Sequence, residues 1–252
     1  MPSNPYIENE EKWKSLSDID WFTQFIRAWI TFNAWYRNNY PNLSADREII
    51  NEVKRNGNRA RDRAENLIQR NDVDGLKFKQ HIADLYKLLE EKIIRNKGKR
   101  VQLVGENAVA QEIFERRGIT YEATQLPGNQ YVSNVTNSTG QIIVSITLTE
   151  YNESALVNHA DYRTKLSSEQ QRNLLACYKT ICPELSLLSS DPTNNIDMGG
   201  YRFTNNSTLI AQAVIETIYK LRCVLFHGEI IPDKDTAGIY EPAYHLLKMV
   251  VD

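Results

Sequence analysis

Two side chains near the end of the sequence are of types suited to cutting RNA without a metal ion. They are Arg222 and His227, in Tyr219-Lys220-Leu221-Arg222-Cys223-Val224-Leu225-Phe226-His227-Gly228-Glu229. Such cleavage needs one group to move the 2′-hydroxyl proton, another to protonate the leaving oxygen, and a fixed cation for the charge gathering on phosphate. His227 suits proton transfer because an unperturbed imidazole titrates near about 6.5. Arg222 suits the phosphate because a guanidinium stays charged and offers a planar fork of donors. Five residues turn an ideal helix by roughly 140° beyond a full turn, so the two side chains do not naturally share a face. Either the helix loosens near Gly228, or the pairs of two subunits combine across a dimer axis.

A plainer reading pairs Arg222 with Glu216 or Glu229 and leaves His227 to hydrogen-bond the helix end. Asn33 joins the site if its early helix faces the late one; otherwise it simply packs. His81, His159 and His245 sit in no comparable constellation. Two basic segments are candidates for holding RNA: Lys54, Arg55, Arg59, Arg61 and Arg63, then Lys92, Arg95, Lys97, Lys99 and Arg100. Arg55, Arg59, Lys97 and Arg100 are the contacts expected from them, giving salt-dependent, largely sequence-independent affinity. The competing readings are a solvated helix face and a basic loop. No phosphate loop, dinucleotide fingerprint, HExxH or nucleophile elbow is present, so no cofactor and no metal site is expected.

The elements that must position these residues follow from periodicity. Between Asp18 and Tyr40, Trp21, Phe22, Phe25, Ile26, Trp29, Phe32 and Tyr36 recur mainly at three- and four-residue steps, predicting a helix capped by Ser17 or Asp18 and closed before Pro41. Further helices are predicted over 44–70 and 72–95, with Gly98 ending the latter. A short helical stretch is expected to end at Gly118. Residues 131–135 and 141–149 alternate in polarity around Asn137-Ser138-Thr139-Gly140, which reads as a hairpin. Helical patterning resumes over 153–182, and 191–201 reads as a loop. Leu209, Ile210, Ala213, Val214, Thr217, Ile218, Leu221 and Leu225 mark the strongest helix, with Thr204 or Asn205 as its cap and a left-handed Gly228 as its stop. A closing helix is predicted over 240–250.

With its aromatic early stretch Trp29-Ile30-Thr31-Phe32-Asn33-Ala34-Trp35-Tyr36 and its late R-x4-H, the chain resembles the HEPN superfamily, whose members carry R-x4-6-H late in a compact helical bundle. The resemblance spans about half the chain and leaves 101–151 unexplained. It implies a mainly α fold: a single HEPN-like helical domain over 1–252, with a small β-hairpin in an α/β insert at about 101–151. It further implies a homodimer in which one histidine acts as base and the other as acid. The activity implied is that of an endoribonuclease, acting as a toxin or antiviral defence effector with an antitoxin or defence-complex partner. Many catalytic members have a polar residue directly after the motif arginine, where this chain has Cys223. That difference favours the alternative, a non-catalytic RNA-binding or protein-interaction module.

Bulk properties bound these readings. The chain has 252 residues, 41% hydrophobic and 25% charged, enough for a substantial core. A net charge of -2 and a pI near 6.1 argue against a surface coated in positive charge, though not against a local basic groove. No signal peptide is visible and no apolar run reaches the roughly 18 residues of a membrane span. Cys177, Cys182 and Cys223 lack the pattern of a disulfide framework or zinc knuckle and read as thiols in a reducing cytoplasm.

Overall fold

The computed structural model describes residues 20–252 except 108, and the expected caps Ser17 and Asp18 lie outside the described residues. The chain forms two compact units: one is built from the chain up to Leu103 and from Leu187 onward, the other is Val104–Ser186.

In the first unit, helix α1 runs Trp21–Asn39 and is capped by Asp20, whose carboxylate accepts from the Phe22 and Thr23 amides. Its apolar stripe buries Phe25, Trp29, Phe32 and Tyr36. The helical region expected over 44–70 holds two helices, α2 Asp46–Arg55 and α3 Arg59–Gln69. Asn58 causes the break: its side chain caps α3 through the Ala60 and Arg61 amides, each at 3.1 Å, and a cap residue takes extended rather than helical backbone. Helix α4 runs Val73–Glu91. The basic stretch after it is a small hairpin, β1 Arg95–Asn96 and β2 Lys99–Arg100, joined through Lys97-Gly98.

After the second unit, β9 Asn195–Met198 and β10 Tyr201–Thr204 form an antiparallel hairpin where a loop was expected. Helix α8, Ser207–Phe226, is capped by Asn206 rather than Thr204 or Asn205. It is apolar around most of its circumference and becomes the central element, packed against α2 and α3. Helix α9, Lys234–Val251, closes the unit against α1 and α4.

The second unit opens with β3, Gly105–Glu106, and contains β4 Gln111–Arg116, β5 Ile119–Leu126, β6 Gln130–Thr136 and β7 Ile142–Leu148, a four-stranded antiparallel meander. Helices α5 Glu153–Asn158, α6 Ala160–Lys165 and α7 Ser168–Thr180 follow, and the unit ends at β8 Glu184–Leu185, which pairs with β3. Tyr121, Val135, Val144 and Ile146 from the sheet and Leu174 and Tyr178 from α7 share a separate core.

This architecture corrects the expected mainly α bundle with a small hairpin: the chain is mixed α and β, with nine helices and four small antiparallel sheets among the described residues. The stretch before Gly118, expected to be helical, is strand β4, paired along its length with β5. In six residues, adjacent Ile113 and Phe114 fit either period; cross-strand pairing and the Arg117-Gly118 turn decide for a strand.

Candidate functional site

Helix α8 ends where the sequence placed its chemistry. The Glu229 amide donates to the Val224 carbonyl at 3.0 Å and the Gly228 amide to Leu225 at 3.3 Å, with Gly228 at φ +66°. This paired closure in a left-handed glycine is a Schellman motif, so the helix does not loosen before its end. His227 is the cap residue: its amide donates to Cys223 at 3.0 Å, while its exposed imidazole has no hydrogen-bond partner among the described residues.

Arg222 lies one and a half turns earlier and is engaged. One terminal nitrogen donates to Asp46 Oδ2 at 3.3 Å, with the two side chains 20% and 18% exposed. The guanidinium sits 4.7 Å from the Phe226 ring centroid and 5.7 Å from that of Trp29, a cation between two aromatic rings. Its Nε is buried without a hydrogen-bond partner.

Asp46 is the hub of this corner. Arg37 also pairs with it, and the Asp46 charge acts on the Tyr36 hydroxyl. Burial and then the Asp46 charge push the Tyr36 hydroxyl well above its ordinary range, keeping it a protonated donor. Asn33 donates to the Tyr36 oxygen within α1, while Asp46 of α2 pairs with Arg37 of α1 and Arg222 of α8 and so links the three helices. Sequence reasoning missed Asp46, Tyr36 and Phe226. The i,i+4 spacing of Arg222 and Phe226 was the one signal available for the last.

Glu216, expected as a possible partner for Arg222, is taken elsewhere. Arg47 Nη1 lies 2.9 and 2.8 Å from its two oxygens and Lys54 Nζ 2.7 Å from Oε2. Burial pushes the Glu216 carboxyl up, but the hydrogen bond from Arg47 and the charge of Lys54 outweigh it and hold the group below its ordinary value.

The basic segments are partly consumed by helix ends. Arg59 donates to the Val251 and Asp252 carbonyls at 3.1 and 2.8 Å, and Arg63 to Met249 at 2.7 Å, closing the end of α9. Arg100 does the same for α4 through Leu89 and Glu90 at 2.8 and 2.9 Å. Arg55 is exposed, its side chain unpartnered among the described residues. Lys97 comes to the C-terminal end of α8: its amide donates to Glu229 Oε2 at 2.9 Å, so the exposed hairpin tip stands beside the His227 loop.

Of the thiols, Cys177 and Cys223 are buried and Cys182 is half-buried; burial pushes Cys177 up to about 12. Among the described residues no three His, Cys, Asp or Glu side chains gather as a metal site, and no helix is long and apolar enough to cross a membrane. No family model, curated protein or solved structure matches the chain.

Proposed function

We propose that the protein is a metal-independent endoribonuclease in which His227 transfers protons and Arg222 binds the scissile phosphate. The observation carrying this reading is the uncommitted imidazole at the end of α8, five residues beyond a guanidinium that Asp46 holds by one nitrogen. Asp46 and the two flanking rings fix the direction of that guanidinium, and Nη1 remains for phosphate. In the reaction, one imidazole takes the 2′-hydroxyl proton as O2′ attacks phosphorus. A protonated imidazole gives its proton to the departing 5′ oxygen, leaving a 2′,3′-cyclic phosphate and a 5′-hydroxyl.

Because α8 stays regular to its end, Arg222 and His227 of one chain diverge around the helix, which supports a homodimer whose two pairs face one RNA strand across a two-fold axis. Lys97 and Arg55 supply further phosphate contacts, whereas Arg59 and Arg100 serve the helix ends. The setting is cytoplasmic, with a role as a toxin or antiviral effector held by an antitoxin or defence-complex partner.

The second reading, a non-catalytic RNA-binding or protein-interaction module, is favoured by one observation: the motif arginine already has a carboxylate partner. Cleavage of labelled single-stranded RNA and transfer RNA in EDTA separates the two. The nuclease reading expects cutting by the wild type and its loss in His227→Ala. RNA binding without cutting, unchanged in Arg222→Ala, supports the module.

A further inference from the structure

The four-stranded sheet of the second unit has the order β4-β5-β6-β7, so β4 and β7 are its edges. An edge presents unpaired N–H and C=O groups, and proteins ordinarily guard it with lysine, proline, a bulge or a covering element. Helices α5 and α6 pack against β7, whereas α7 lies mainly over β5. β4 contains no lysine or proline, and it pairs with β5 along its whole length without a shift of register.

Which backbone groups β4 leaves free follows from one bond. The Gln125 amide donates to the Ala110 carbonyl at 2.6 Å, and continuing the register sets these residues opposite each other, so they form a hydrogen-bonded pair. Alternation then turns the backbone of Glu112, Phe114 and Arg116 towards β5. It leaves the N–H and C=O groups of Gln111, Ile113 and Glu115 pointing outward from the sheet. All three of these residues are exposed, with Ile113, a large apolar side chain, 55% exposed at the middle of the edge.

The edge is complementary to itself. Turned by a two-fold axis at Ile113, a second β4 runs antiparallel to the first and sets Ile113 against its own counterpart. Gln111 then faces Glu115, an amide donor against a carboxylate. Each outward residue meets an outward residue, giving about six backbone hydrogen bonds. Glu112 falls opposite Phe114 and Arg116 opposite Ala110, so no like charges stand directly opposite. Other registers are worse. A slip of one residue sets outward groups against inward ones. A slip of two in one direction puts Glu112 against Glu112, and in the other it draws in Arg117, which has left the strand at φ +53°.

We propose that β4 is an interface with a second copy of this chain, the two strands pairing antiparallel about Ile113 and joining their four-stranded sheets edge to edge. This face is separate from the two-fold proposed at the end of α8, and a chain carrying both assembles beyond a dimer.

Sedimentation velocity of the full chain across a wide range of protein concentration tests this, with Ile113→Lys, Ile113→Glu and Ile113→Pro as variants. The wild type should associate with rising concentration. Ile113→Lys and Ile113→Glu should each weaken that association by about tenfold or more, because like charges meet at the axis and the apolar contact is lost. An equimolar mixture of the two should regain it through mixed pairs. In Ile113→Pro the missing N–H is one that points away from β5, so the sheet is spared while association falls by a similar factor. Any dimer made through α8 is common to all samples and does not change on mixing, so the difference reads β4 alone. Identical sedimentation of wild type and the folded Ile113→Lys variant, or a Lys/Glu mixture no larger than its components, would overturn the proposal.

Discussion

Asp46 determines where the Arg222 guanidinium points, with Arg37 fixing Asp46 in turn. In the proposed nuclease it is a positioning residue. Asp46→Ala should lower kcat by about a hundredfold with a smaller change in KM, because about 1 Å of misplacement can cost that much; Asp46→Glu should recover part of it. A drop in KM-dependent binding alone would argue for a merely structural carboxylate. Glu216, buried against Lys54, makes a stability prediction. Glu216→Gln removes the charge that Arg47 and Lys54 share and should cost about 1–3 kcal/mol in urea unfolding. At this scale the sequence displayed chemistry but not partnership. Arg222, His227 and Asn33 could be singled out by type and spacing, whereas Asp46 lies 176 residues from Arg222 and only the packing of α2 on α8 joins them. Arg59 and Arg100 resembled phosphate ligands for the same reason: guanidinium donors also suit helix C-terminal carbonyls, and sequence does not reveal which helix end is near.

Between elements, the stacked His81–His245 pair joins α4 to α9 and gives their packing a pH dependence. Burial pushes both imidazoles below their ordinary value; His81 also faces His245, Asp84 and Lys77, and His245 faces Glu241, Lys248, Trp21 and Tyr244. The unfolded chain therefore takes up protons more readily than the folded one. Stability is fully present above the ordinary value of 6.5 and falls as pH drops through it toward the lower folded values. The melting temperature should decline more between pH 7.5 and 5.5 in the wild type than in His81→Phe/His245→Phe, which keeps a ring stack but cannot titrate. Equal slopes would contradict this. The long helices α1 and α8 were legible because an apolar face repeated over about twenty residues outweighs local ambiguity, and Gly228 stopped α8 as its lack of a Cβ allows. The break at Asn58 and strand β4 were not: one depends on a single side chain turning back to cap, the other on pairing with β5.

At the scale of the whole chain, β3 and β8 pair Gly105 with Leu185, so the second unit leaves the chain beside the point where it begins. That geometry and its separate core make it an insertion. Replacing Val104–Ser186 with a short Gly-Ser linker should leave the first unit folded and helical by circular dichroism, with a cooperative melt; loss of cooperative unfolding would contradict it. Sequence reading located β6 and β7 but set the insert at about 101–151, because α5, α6 and α7 carry helical patterning that does not reveal which core they serve. In the proposed ribonuclease every proton transfer passes through His227, and analysis of RNA ends after incubation in EDTA with wild type and His227→Ala tests this directly. The prediction is 2′,3′-cyclic phosphate and 5′-hydroxyl ends from the wild type, with none from the folded variant; equal cleavage by both, or 3′-hydroxyl ends dependent on added metal, would contradict it.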